Sequence, residues 1–376
     1  MYRTRPLSLL VLSFAVLLIL SCGGGSKTLT DPSVCGGCQF VYSTTTSGQI
    51  LAFPVSNTTY ALGTPKSIDG PANSTGIAVF GAIQPYVYVS DPANNSIRAY
   101  VVNSSDGSLS PALFGPTSLE NGGLPGDLVV FGSTLYAASS NGGVFAFNVN
   151  ADGSLASVSG SPFPAGSGLS HLAIIPSQSV ANTTFLYAAN TGDPNGSISA
   201  FSIAANGVLT PVAGSPFATV SGGGPAGFYD GGNVLYVALK NANAVAAFTI
   251  AADGSLSPIA GSPFPAGGGT SSLTGADGFL FATNSLDGTI SSYAMDPYSG
   301  NLTQVSGSPF TASIATGDTL YDNGTLFVPD ASANSISGFH PDLSTGVVNS
   351  QTGSPYQATA GPLALAALQF PAIDPP

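Results

Sequence analysis

Gly207-Val208-Leu209-Thr210-Pro211-Val212-Ala213-Gly214-Ser215-Pro216-Phe217 is one copy of a stretch that returns along almost the whole chain. Its last four residues recur as Gly160-Ser161-Pro162-Phe163, Gly261-Ser262-Pro263-Phe264, Gly307-Ser308-Pro309-Phe310 and Gly353-Ser354-Pro355-Tyr356. Weaker copies stand at Gly63-Thr64-Pro65 and Gly115-Pro116. The seven prolines lie 51, 46, 54, 47, 46 and 46 residues apart. A unit of this length cannot bury its own apolar face, so neighbouring units must stack.

Residues 227–264 show how one unit folds. Gly227-Phe228-Tyr229 begins an innermost strand, and Leu235-Tyr236-Val237-Ala238 alternates as a second. Asn241-Ala242-Asn243 turns the chain into a third strand, Ala244 to Ile250. Asp253-Gly254 is a hairpin turn, since glycine accepts positive φ, and Leu256 to Ile259 is a fourth strand. The proline of the Gly-Ser-Pro-Phe element has no N–H, which assigns it to an edge or a connection. The second strand returns as a pair such as Val41-Tyr42, Leu186-Tyr187 or Leu326-Phe327. The third returns as a small residue before an aromatic, as in Ala52-Phe53, Ser292-Tyr293 and Gly338-Phe339. Small beside large suits sheets that interlock face to face.

Four strands per unit and seven units predict an all-β, seven-bladed β-propeller of four-stranded antiparallel blades over residues 39–370. The first unit, Gln39 to Ile68, lacks an innermost strand, whereas Gly361 to Leu368 reads as an innermost strand with nothing after it. The ring is therefore expected to close by pairing that C-terminal strand into the first blade, which removes the largest exposed edge. Residues 371–376 follow as a tail.

The chain opens with Arg3 and Arg5, an apolar run from Leu7 to Leu20, and Ser21-Cys22-Gly23, the pattern of an export signal. Ile19-Leu20-Ser21-Cys22 resembles a bacterial lipobox. That resemblance implies a signal over 1–21, cleavage before Cys22, a lipid on its sulfur and membrane attachment at the cell envelope. An ordinary cleaved leader with an incidental cysteine is the alternative. Residues 22–38 would then hold the lipidated cysteine, a flexible tether and Cys35-Gly36-Gly37-Cys38. In an exported chain Cys35 and Cys38 are expected to form a local disulfide; a redox motif would need a helix after the first cysteine, and a metal site two more ligands. Without the leader, four cations remain (Lys27, Lys66, Arg98 and Lys240) against 18 acids, a net charge of about −14. With no basic patch, nucleic acid is excluded as a partner.

The whole chain resembles the seven-bladed propellers of the 6-phosphogluconolactonase-like family and its YVTN-repeat relatives. The resemblance is carried by Leu186-Tyr187-Ala188-Ala189-Asn190, Leu280-Phe281-Ala282-Thr283-Asn284 and the repeated Gly-x-Leu-x-x-Val-x-Gly-Ser-Pro-Phe. Lactonases of that family carry Gly-Pro-Arg-His entering an innermost strand and Asn-Glu after the next. The matching positions here are Gly168-Leu169-Ser170-His171 and Asn190-Thr191. The histidine is kept, while Ser170 replaces the arginine and Thr191 the glutamate, so a phosphorylated lactone loses its anion clamp.

Aligning the innermost strands puts Gly76, Asp127, His171, Gly227, Ser272, Asp318 and Pro362 at the mouth of the central channel. Asp127 and His171 come from adjacent blades, so Asp127 is expected to orient the imidazole, with Asp318 farther round the ring. The sequence shows no nucleophile elbow, phosphate loop, metal cluster or cofactor motif. It points to a lipid-anchored envelope module that binds a protein or a small neutral ligand through the mouth and loops, or acts as a scaffold. The alternative is a hydrolase of a neutral lactone using His171 with Asp127.

Overall fold

The structure, a computed structural model, describes residues 39–370 apart from 82–83, 142 and 313–316. The leader, Cys22, the Cys35–Cys38 pair and the tail lie outside the described residues. Seven antiparallel sheets form the ring. Blade 2 begins at Ile77–Phe80, blade 3 at Pro125–Phe131, blade 4 at Leu169–Pro176, blade 5 at Pro225–Asp230, blade 6 at Thr270–Ala276 and blade 7 at Leu320–Asp322, each strand innermost in its sheet. Blade 1 contains Gln39–Thr45, Gln49–Val55 and Lys66–Asp69, and its innermost strand is Pro362–Gln369 from the other end of the chain. Gln39 pairs with Gln369 and Ser43 with Leu365, so the ring closes as the sequence requires.

The Gly-Ser-Pro-Phe element does more than connect. In blade 4 the outer strand Leu209–Pro211 covers only the far half of the third strand, Ser197–Ile203. After Ser215-Pro216 the chain returns, and Phe217–Ala218 pairs with the near half, at Ile198 and Ser197. One backbone donor is left at the gap, Ala200 N–H, and it donates to Ser215 Oγ at 2.9 Å. Ser161, Ser262, Ser308 and Ser354 accept from Ala146, Ala247, Ser292 and Gly338 in the same way. The motif is thus a side-chain rung inserted in a β-ladder, which pairs the backbone N–H left at the gap. In all five copies the Ser–Pro bond is cis.

Adjacent blades hold each other through a second recurring contact. The tyrosine of the second strand donates its hydroxyl to the hairpin glycine carbonyl of the next blade. The bonds are Tyr42 to Gly107 at 3.0 Å, Tyr88 to Gly153 at 2.7 Å, Tyr136 to Gly207 at 3.1 Å, Tyr187 to Gly254 at 3.0 Å and Tyr236 to Gly300 at 2.9 Å. Burial pushes the Tyr136 hydroxyl up to about 12, so it stays a donor. Blade 6 carries Phe281 instead, and its cross-strand partner Ser292 supplies the hydroxyl, reaching Gly346 at 2.7 Å.

The seam between blades 7 and 1 is built differently. Gln351 donates to the Thr59 carbonyl at 2.7 Å and accepts from Tyr356 at 2.7 Å. That amide explains Gly338, because a Cβ there would stand 2.3 Å from Gln351 Oε1.

The aromatics of the repeats are blade-to-blade core. Tyr136 and Ala138 of blade 3, for example, pack with Leu172, Leu186 and Phe201 of blade 4. Full burial of such a side chain stabilises by roughly 1.5–3 kcal/mol, against about 1 kcal/mol for the hydroxyl bond. The packing therefore holds the blades together, and the hydroxyl fixes which turn meets which strand.

Tyr136→Phe is expected to destabilise the protein by about 1 kcal/mol. Ala146, which pairs with Tyr136 as Ser292 pairs with Phe281, offers a rescue. Ala146→Ser added to Tyr136→Phe should recover most of the loss in a urea titration. A double variant no more stable than Tyr136→Phe alone would show that the two hydroxyls are not equivalent.

Candidate binding site at the channel mouth

The innermost strands enter the channel through bulges. In blade 3, Pro125 pairs with Ser139 and Leu128 with Ala137, so Gly126 and Asp127 together oppose one residue. In blade 4, Ser170 and His171 do the same between the Leu169–Asn190 and Leu172–Ala188 pairs. Ala226 and Ser271 are the extra residues of blades 5 and 6, and the closing strand has the same irregularity at Leu363 and Ala364. A bulge bends the strand and re-aims its side chains. In these five blades it turns an added residue towards the axis.

These residues surround a cavity of about 460 Å³ whose wall draws on all seven blades. Thr75, Gly126, Ser170, Ala226, Ser271 and Gly317 line it, each one position before the residue that the repeat register selects. Of the expected set, His171 and Asp318 reach the wall, while Gly76, Asp127, Gly227, Ser272 and Pro362 do not. In blades 3 to 6 the offset accompanies the bulge, which an alignment of repeats does not show. Gly76 instead faces the next blade, where a Cβ would meet the Gly126 carbonyl at 1.9 Å.

Asp127 and Ser272 are clamps between innermost strands. Asp127 Oδ2 accepts the Leu172 N–H of blade 4 at 2.8 Å, and Ser272 Oγ accepts the Thr319 N–H of blade 7 at 3.1 Å. The imidazole does not turn to Asp127. His171 Nε2 donates to Asp318 Oδ1 at 2.9 Å, joining blade 4 to blade 7 across the channel. Among the described residues His171 Nδ1 has no hydrogen-bond partner.

Ser170 and Thr191, which stand where the resembled lactonases carry arginine and glutamate, also serve the scaffold. Their hydroxyls lie 2.6 Å apart, and Thr191 donates to the Pro225 carbonyl of blade 5 at 2.6 Å. A neutral tie between blades 4 and 5 occupies the place of a charged pair.

Electrostatics follows from this arrangement. Desolvation works against a charged imidazole, but the charge and hydrogen bond of Asp318, with the charge of Asp127, outweigh it, and the His171 pKa is raised to about 9. The Lys240 ammonium opposes that rise. Burial, and then the Asp318 charge, push Asp127 above the ordinary carboxylate range, against the pull of His171 and of the Leu172 and Leu128 N–H groups. At neutral pH, therefore, His171 is an imidazolium held by Asp318.

Sequence reading did not single out Lys240, Ser271 or Leu363 as wall residues. For Lys240 a signal existed, as one of only six Lys and Arg residues in the chain. For the other two there was none without the bulge.

Because the folded His171 pKa lies above its ordinary 6.5, the ion pair stabilises fully below that value, and the gain is lost as pH rises through about 9. His171→Ala should cost about 2 kcal/mol near pH 7, since Asp318 and Asp127 then face each other uncompensated. The gap between wild type and variant, read from urea midpoints, should shrink between pH 7 and pH 10. A gap constant over that interval would show that the imidazole contributes only packing.

Comparison with known proteins places the fold. No family model matches the chain, and no curated protein sequence matches it. Solved structures do. A candidate 6-phosphogluconolactonase of Bacteroides fragilis superposes with a TM-score of 0.75 at 20% identity, over 90% of this chain and 100% of that one. One of Bacteroides uniformis gives 0.72 at 17% identity, over 89% and 100%. A periplasmic gluconolactonase of Pseudomonas aeruginosa gives 0.69 at 18% identity, over 89% and 100%. The chain shares the complete seven-bladed fold of these lactonase-like propellers.

Proposed function

We propose that the protein is a binding module that holds a small hydroxylated molecule in the axial cavity and does not hydrolyse it. One observation carries this reading: the polar groups best suited to activate water are already engaged. Asp127 accepts a backbone N–H, Ser170 and Thr191 tie two blades together, and His171 is charged against Asp318. A general base must accept a proton near the working pH, and an imidazole raised to about 9 does so poorly. The cavity keeps hydroxyls from Thr75, Ser140, Ser271 and Ser285, and its volume falls in the usual ligand-site range of roughly 300–1,000 Å³. The export signal and Cys22 extend the proposal to a module tethered by lipid at the cell envelope.

A second reading, hydrolysis of a lactone, is favoured by the fold shared with the gluconolactonase of Pseudomonas aeruginosa and by the histidine–carboxylate cluster at the mouth. Turnover of glucono-δ-lactone followed by pH-stat separates the two. Binding of monosaccharides, read by calorimetry or thermal shift, with no hydrolysis above the uncatalysed rate between pH 6 and pH 9, supports the binding module. Hydrolysis abolished by His171→Ala would replace it with the enzyme. For the tether, Cys22→Ser should move the protein from the membrane fraction to the soluble fraction of the producing cell; continued membrane retention would remove the lipid anchor from the proposal.

A further inference from the structure

Cations are scarce in this chain, and their placement is informative. Among the described residues, Lys66 pairs with Asp106 and Arg98 with Asp91. Lys240 makes no ion pair among the described residues, and it stands on the wall of the axial cavity. It follows the blade 5 strand Val234–Leu239, and its N–H is fixed to the Gly224 carbonyl at 3.0 Å. The backbone is anchored while the side chain lies exposed at the mouth.

The charged groups on the wall of this space are His171, Asp318 and Lys240. His171 and Asp318 neutralise each other at 2.9 Å. Asp127 stands behind the wall, accepting the Leu172 N–H and adding its charge to that of Asp318 on His171. Of the charged groups on the wall itself, Lys240 alone has no ionic partner among the described residues. Around it the wall offers hydroxyls, among them Ser271 Oγ, which has no hydrogen-bond partner among the described residues. Among the described residues no Phe or Tyr ring lines the cavity, so a flat aromatic acid would find little to stack on.

We propose that the cavity selects a small, saturated hydroxy-carboxylate over its neutral counterpart, and that Lys240 makes the selection. The inference rests on the binding reading above and adds the ligand's charge to it. A monoanion matches the single free ammonium. A dianion such as phosphate places its second charge in the field of Asp318, which shares the wall, and gains less. Because the ammonium is exposed, solvent screens the contact and the selection is modest.

The test compares galacturonate, galactose and inorganic phosphate by calorimetry at fixed ionic strength, on the wild-type protein, Lys240→Ala and Lys240→Arg. Galacturonate should bind the wild type about fivefold more tightly than galactose, and more tightly than phosphate. In Lys240→Ala the ratio of the two sugars should fall to about one, and in Lys240→Arg the preference should return. Equal binding of the sugars to the wild type, or a preference that survives in Lys240→Ala, would overturn the selection while leaving the binding module intact. Phosphate as the tightest ligand would overturn the carboxylate class. Absence of binding by all three probes would bring down the binding reading and the selection together.

Discussion

The ladder between Pro362–Gln369 and Gln39–Thr45 is the constraint on which the rest of the structure depends. Every other blade is made from a continuous piece of chain, and only blade 1 needs both ends. Without that ladder, two sheet edges would face solvent with unpaired N–H and C=O groups. The channel mouth would go with it, because Leu363 and Ala364 form part of the cavity wall. The innermost strand of blade 7, only three residues long, is packed between the closing strand and blade 6 and held from across the axis by His171. Closure, seam and site are therefore one mechanical unit. The special contacts at the seam, Gln351 to Thr59 and Asn323 to Gln39, appear where the repeated tyrosine–glycine contact is absent.

How much of this was legible in the sequence depends on whether a feature repeats. The strands and the small–aromatic pairs are written seven times with small variations, so each copy checks the others and exposes the one innermost strand missing from the first unit. Even the exceptions follow a rule: Phe281 lacks a hydroxyl and Ser292 beside it gains one. The mouth follows no such rule. In blades 3 to 6 its residues lie one position earlier than the repeat register selects, where a bulge adds one residue on the innermost strand against its partner. Repeat alignment keeps register along the sequence, whereas a bulge changes register along the ladder. The role expected for Asp127 went to Asp318 for a related reason. Adjacency of blades 3 and 4 brings Asp127 close to the blade 4 strand, but the backbone N–H of Leu172 takes its carboxylate first. The imidazole turns across the axis to the carboxylate left over.

The same residues show how a propeller of this kind can keep its architecture while its chemistry changes. A lactone hydrolase needs a base that is free and near neutral in pKa, together with donors for the developing oxyanion. Here the carboxylate and hydroxyls at the mouth are turned sideways into the ring, each closing a gap between neighbouring innermost strands: Asp127 between blades 3 and 4, Ser170 with Thr191 between 4 and 5, Ser272 between 6 and 7. Such bonds each contribute only about 1 kcal/mol, yet they fix side-chain direction and leave fewer groups facing the cavity.

His171 is the exception that faces inward, and its charge state decides what it can do. A histidine between two carboxylates has its protonated form favoured by both, so the pair with Asp318 acts as a strut across the channel. A strut and a base place opposite demands on one imidazole. The strut requires the proton to stay through the neutral range, and the base requires it to leave and return within each turnover. With the imidazolium paired to Asp318, the exposed ammonium of Lys240 is the charge on the cavity wall that has no ionic partner among the described residues, within an otherwise acidic molecule. An acidic surface lowers the local concentration of anions outside the mouth, while a single ammonium inside favours the one that enters. Selection then rests on the short-range contact rather than on long-range attraction.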